Sequence, residues 1–293
     1  MHEVEYAELS FGGTTLRLDG LDAPEPRDGL MVTSEGIEGW WDSPDLKVTQ
    51  VERVTGDGAH DVPEGEILYA ARTVVLHASA VGPSRAGTLA AMDRLRACMG
   101  RSVRLRVVDE TSDTYVEGHA SLAVDQSGKW DPHWQLATLT FGFPRPERLS
   151  TASRVGLMVP GAPSTQGLVW SEAGVLLWPL SYGNAAATAS VCTVANRGTY
   201  PATPVITAAG DMPDGFVLTD VATGSQLAYG QPVRWQPVVL DCRSRVATVA
   251  GVDVTRALTS RGWPSVPAGG SLTLALTASG TGQVEVSCHD TYI

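Results

Sequence analysis

Residues 103–107 read Val-Arg-Leu-Arg-Val. The alternation puts Val103, Leu105 and Val107 on one face and Arg104 and Arg106 on the other, the pattern of a strand with one dry and one wet side. The theme extends in both directions. Residues 115–124 and 134–143 alternate as well, and the stretch between them holds Gly128 and Pro132, so the three segments read as a hairpin with a long loop. Upstream, residues 67–77 place Leu68, Ala70, Val74 and Leu76 on one face, interrupted by Arg72, with Thr73 and His77 on the other. Residues 84–99 break the strand rhythm. Ser84 is placed to cap a helix after Pro83, Leu89, Met92, Leu95 and Met99 recur at helical spacing, and Gly100 follows at C′. Arg94, Arg96 and Arg101 gather at the C-terminal end, where the macrodipole favours cations.

Farther on, short apolar runs recur at 175–178, 188–195, 205–208, 216–221, 233–240, 246–249, 271–276 and 283–288, most of them separated by Gly, Asp or Pro. Many short strands at near-regular spacing predict a sandwich or barrel. Pro144, Pro146, Pro160 and Pro163, with nearby Ser, Thr and Gly, predict a linker at 144–165. The expected organisation is mainly β: residues 1–150 as strands plus one helix, and residues 151–293 as strands only.

The chain has 293 residues, with 21 Lys and Arg against 32 Asp and Glu, a formal net charge of −11. Sixteen of the acids and only four of the bases fall in residues 1–66. That segment reads either as a solvated acidic surface or as an acidic lining or contact face for a basic partner. The balance argues against a whole-chain grip on nucleic acid or on an anionic membrane. No run of 18 apolar residues is present, and the first residues carry neither a basic n-region nor an apolar h-region, so membrane insertion and a signal peptide are not expected. Cys98, Cys192, Cys242 and Cys288 stand alone, with no ligand spacing, and read as buried thiols of a protein made in a reducing cytoplasm.

Phosphate-binding, dinucleotide-binding, nucleophile-elbow and zincin motifs are absent, and no two of the six histidines lie within five residues of each other. No cofactor or metal is expected. Trp40 and Trp41, in an acidic, Gly-rich stretch, read either as a core plug or as a pair that stacks on sugar or inserts into a partner subunit. Trp130 and Trp134 flank the probable hairpin tip, and Trp170, Trp178, Trp235 and Trp263 read as sandwich core.

Residues 196–210, Asn-Arg-Gly-Thr-Tyr-Pro-Ala-Thr-Pro-Val-Ile-Thr-Ala-Ala-Gly, resemble the stretch that opens the C-terminal domain of siphophage distal tail proteins. Asp241, Val246 and Gly251, then Trp263, then Pro267 and Gly269 follow that family's later landmarks, although Ser271 stands after Gly270 where an Asn is common. The N-terminal order of strand, helix, Arg-rich strand and hairpin is similar too. Read physically, these landmarks build turns: Asn196 and Gly198 are expected in the left-handed region, Pro204 at the start of a strand, Asp241 bonded to turn backbone, and Gly210, Gly251 and Gly269 at reversals.

The resemblance implies a structural virion protein rather than an enzyme. It implies a tail-tube-like N-terminal domain forming a homohexameric ring, and a galectin-like C-terminal sandwich. The ring would join the tail tube protein to the tail-associated hub and let DNA pass. Arg94, Arg96, Arg101, Arg104 and Arg106, with Trp40 and Trp41, are then expected at the contact between subunits, the arginines facing acids of residues 1–66. A carbohydrate-binding or adhesin module and a glycan-cleaving tail enzyme are the rival classes.

Overall fold

The computed structural model describes residues 4–23, 25–125, 131–161 and 190–293. It divides into two compact units, residues 1–151 with 292–293, and residues 152–291.

Unit 1 is built from β1 (Val4–Phe11), β2 (Thr14–Asp19), β3 (Leu30–Glu38), β4 (Arg72–Val81), α1 (Arg85–Arg96), β5 (Val103–Asp109), β6 (Asp113–Val124), β7 (Trp134–Phe143) and the start of β8 (Arg148–Met158). The strands pair in the circuit β1-β2-β3-β4-β7-β6-β5 and back to β1, a closed seven-stranded barrel. Closure depends on β6, whose first half pairs with β5 and whose second half pairs with β7. The changeover falls at Gly118, where a Cβ would sit 2.2 Å from the Gly142 carbonyl oxygen, so only glycine lets the strand cross that closely. The weak seam is between β2 and β3, which share a single parallel pair, Asp19 with Met31.

Alternation sends Ala7, Leu9, Phe11, Leu105, Val107, Leu76, Leu139 and Phe141 inward to one core. The α1 helix adds Ala91, Met92 and Leu95 to it. Its Ser84 cap accepts a bond from the Gly87 amide, as expected. The buried face differs from the expected stripe: Thr88 belongs to it, while Leu89 is exposed. Thr88 is tolerated inside because its hydroxyl donates to the Ser84 and Pro132 carbonyls. The helix ends at Arg96, and Gly100, at φ 71°, closes the turn that follows rather than the helix itself.

Three strand expectations change. The segment expected from residue 67 begins at Arg72. Residues 148–158, expected as linker, form β8, which pairs with β6 through Leu149 and Ser150. Residues 4–38, for which no strand was expected, supply β1, β2 and β3.

Unit 2 contains β9 (Val191–Ala195), β10 (Val205–Ala209), β11 (Phe216–Asp220), β12 (Gln226–Tyr229), β13 (Val238–Asp241), β14 (Val246–Val249), β15 (Val252–Asp253), β16 (Leu258–Arg261), β17 (Ser271–Ala278) and β18 (Gln283–Tyr292). One sheet runs β15-β14-β13-β10-β18 and the other β16-β12-β11-β17-β9. Ile206, Leu240 and Val286 from the first sheet and Leu218, Leu227 and Leu274 from the second share one core, so the unit is a two-sheet sandwich. β12, β15 and β16 were not expected: β12 buries three consecutive residues, β16 buries Leu258 alone and β15 buries none, so none shows a period of two. The expected strand at 175–178, with Trp170 and Trp178, lies outside the described residues, as does Trp130.

Candidate functional site

The arginines of β5 stand on the outside of the barrel, as their alternation requires. Arg106 donates from Nε to Asp113 at 2.7 Å and from Nη1 to Glu8 at 2.6 Å, and Arg104 donates from Nε to Glu117 at 2.8 Å. Register explains the geometry: Glu8 is directly opposite both Arg17 and Arg106, and Arg104 is directly opposite Glu117. Arg17 lies 3.8 Å over the Tyr6 ring and bonds Asp19, and Arg104 lies 4.4 Å over Tyr115. The hydrogen bonds that Arg106 donates to Asp113, joined by the one it donates to Glu8, outweigh burial and hold its guanidinium well above its usual range. Arg106 in turn holds the Asp113 carboxyl low.

Four strands thus carry an outer band of arginines, acids and tyrosines that neutralises itself. Within the single chain these arginines, expected to face acids of a neighbouring subunit, already have acidic partners. Arg104 and Arg106 face acids of their own chain, and two of those acids, Asp113 and Glu117, lie outside residues 1–66. Arg96 pairs with Asp93 at 2.6 Å, and Arg94 reaches Asp28 through both its carbonyl and its carboxylate. Arg101 is exposed and, among the described residues, has no hydrogen-bond or ion-pair partner.

The two tryptophans separate. Trp40 is fully buried, which fits the core plug and removes its ring from any partner contact. Trp41 is half-buried and lines a cleft of about 610 Å³ along the β2–β3 seam, with Leu21, Val32, Ile37 and the acids Glu5, Asp19 and Glu35. The fixed point beneath them is Arg72, on an inward position of β4 and 1 % exposed. Its Nη1 donates to the carbonyls of Gly39 at 2.8 Å, Trp40 at 3.0 Å and Asp42 at 2.8 Å, and its Nε donates to Pro146 at 2.7 Å. Burial, and then Arg148 nearby, pull this guanidinium down to about 10, so it remains charged at neutral pH.

In unit 2 the landmark residues do structural work, though not all in the expected way. Neither Asn196 nor Gly198 is left-handed. Asn196 is buried, donates to the Tyr200 and Pro267 carbonyls, and accepts from the Gly198 and Thr291 amides, tying the end of β9 to the end of β18. Gly198 is required by proximity, since a Cβ there would meet the Thr291 carbonyl oxygen at 1.9 Å. Gly210, Gly251 and Gly269 do take positive φ, of 92°, 80° and 61°. Pro204 directly precedes β10, and its carbonyl accepts from the Cys242 amide. Asp241 accepts from the Arg243 amide and the Ser244 hydroxyl in the β13–β14 turn. Trp263 packs, partly buried, against the core. Trp235 reverses its expectation: it stands 96 % exposed on the loop between β12 and β13.

The four cysteines are free and buried. Burial, with Asp241 and Cys288 adding to it, pushes the Cys242 thiol up to about 12, so it is inert as a nucleophile at neutral pH. Among the described residues no three His, Cys, Asp or Glu side chains gather to hold a metal ion, and no helix is long and apolar enough to cross a membrane.

No family model matches the chain, and no curated protein matches it in sequence. Solved structures do match. The Dit protein (gp 19.1) of phage SPP1, described as a paradigm of the hub adsorption apparatus in phages infecting Gram-positive bacteria, aligns over 98% of this chain and 99% of its own, with a TM-score of 0.59 and 13% identity. A chain of the phage P2 baseplate, in its activated conformation with Ca, aligns over 96% and 97%, with a TM-score of 0.50 and 9% identity. The described residues therefore have the fold of the SPP1 Dit protein, in both units.

Proposed function

We propose that this chain is a structural protein of a phage tail tip, a distal tail protein of the siphophage kind. In this reading unit 1 assembles into a ring of six that joins the tail tube to the hub and leaves a passage for DNA, and the protein's place is the virion. The observation that carries the reading is the end-to-end agreement of fold with SPP1 Dit, both units included, which a single shared domain would not give. The match of residues 196–269 to the family's turn landmarks supports it independently. The role is architectural rather than catalytic: the landmark residues Asn196, Gly198 and Asp241 bond backbone. Light scattering on the purified protein and on extracted tail tips tests the reading. A six-copy mass is expected, and a monomer in both preparations would refute it.

Trp235 favours a second reading, in which unit 2 also holds glycan by stacking on that ring. Retention of the protein on host cell walls, lost in Trp235→Ala, is the result expected from it, and equal retention of the two would rule it out.

A further inference from the structure

Beyond Trp40 and Trp41, which pack on the barrel core, the chain runs some 30 residues before it returns to β4. Residues 45–70 fold back on themselves through four backbone bonds: Lys47 to the Leu68 carbonyl, Ala70 to Asp45, Arg53 to Gly58 and His60 to Val51. Isolated bridges pair Leu46 with Tyr69 and Glu52 with Ala59, and Gly56 and Gly58, at positive φ, turn the tip. This is a two-stranded arm with almost no core of its own. Leu46 is 56% exposed, Val51 62%, Val54 100% and Leu68 57%, with Val62 and Ile67 at 37%.

An isolated two-stranded hairpin is marginal in water, and one that leaves six large aliphatic side chains in solvent is more costly still. Together these side chains expose on the order of 500 Å² of apolar surface. One side of a standard interface buries about 800 Å², a little over half of it apolar, so the arm alone carries the apolar area such a contact needs. Its charge points to the kind of surface it meets. Residues 45–70 hold six acids against Lys47 and Arg53, and Arg53 pairs with Asp61 at 2.8 Å. The same unit carries cations on α1 and just beyond it: Arg94 and Arg96 are about half exposed while paired with Asp28 and Asp93, and Arg101 is exposed and, among the described residues, has no ion-pair partner. One chain thus carries an acidic, apolar projection and a basic patch, two different surfaces of the kind a head-to-tail contact joins.

We propose that the 45–70 arm docks on unit 1 of a second copy of this chain and is the element that holds neighbouring subunits together. The inference rests on the self-assembly reading above and adds the element responsible. The test is the mass of the full-length protein by light scattering across a concentration series, for wild type and for Val51→Asp with Val54→Asp. Both side chains lie in solvent in the single chain, so the melting temperature of the double variant should stay unchanged while its dissociation concentration rises at least tenfold. A double variant that assembles like the wild type overturns the arm and leaves the self-assembly reading standing. A wild type that stays monomeric at every concentration overturns both. A benzophenone side chain in place of Val54 supplies a second measurement: irradiation should give covalent dimers, and a multimeric protein that yields none refutes the docking.

Discussion

Replacing Arg72 by Met tests what fixes the 39–42 loop, and with it Trp40 and Trp41. Methionine keeps the apolar stem inside the barrel and deletes the guanidinium. Four carbonyls, those of Gly39, Trp40, Asp42 and Pro146, then lose their donor. A hydrogen bond to a charged group is worth about 1.5–3 kcal/mol net, which would give a loss well above 5 kcal/mol if all four counted in full. They do not, because three share one nitrogen and because Met also removes the cost of burying a cation. The expected loss is therefore about 3–5 kcal/mol, the range for breaking a buried charged contact. At roughly 2–4 °C per kcal/mol for a unit of this size, melting of unit 1 should fall by about 6–20 °C. Arg72→Lys should fall between: its ammonium keeps the charge but cannot span Pro146 and the 39–42 carbonyls at once. Circular dichroism followed in the near ultraviolet reports the packing of Trp40 directly. A Met variant that melts within about 2 °C of wild type, with the same near-ultraviolet signal, would refute the reasoning.

Asn196→Ala should cost unit 2 about 2–4 kcal/mol, since it unpairs the buried Gly198 and Thr291 amides as well as two carbonyls; chemical denaturation measures it. Ala250, at φ 50° before Gly251, sits in the left-handed region in the tight β14–β15 turn, so Ala250→Asn should raise the unfolding free energy, read by chemical denaturation, by about 0.5–1 kcal/mol. Asp113 is held low by the Arg106 hydrogen bonds, and Asp290 by those from Arg154. Because their folded values lie below the unfolded one near 3.9, their stabilisation is complete at neutral pH and is lost only as pH falls below about 4. Asp290→Asn should therefore lower stability at pH 7 and flatten the acid limb of unit 2, which a melting series from pH 7 to pH 2 would read.

How much of this was legible in the sequence depended on where the information lay. The strand at 103–107, the hairpin partner at 134–143 and the capped helix were readable because each declares itself within a few residues. β12, with three consecutive buried residues, and β16, with Leu258 alone buried, give a period of two nothing to work on. β8 was hidden by flanking prolines at 144, 146 and 160, which bracket the strand without entering it. The landmark positions in unit 2 were found, but the reasons assigned to two of them were local, a left-handed turn, when the actual reason is long-range. Gly198 is glycine because Thr291, 93 positions later, passes against it. Nothing near residue 198 records that approach.

The outer arginines show the same limit from another side. Alternation fixed which face Arg104 and Arg106 occupy, and that was correct. It could not say which acids share that face, because register across β1, β5 and β6 decides it. Once Glu8, Asp113 and Glu117 are in register, these arginines have little charge left to offer a neighbour. The acidity of the first 66 residues must then be weighed by location rather than by count. Glu8, Asp19 and Asp28 are bound up in the barrel wall, while six more acids ride on the 45–70 arm beside uncovered aliphatic side chains. Apolar surface without a cover is the more demanding of the two features: a solvated carboxylate is stable as it stands, and an exposed Val54 or Leu46 gains free energy only by leaving water. In the assembly proposed above the arm is therefore the element that needs a cover, and the charge around it selects what it meets.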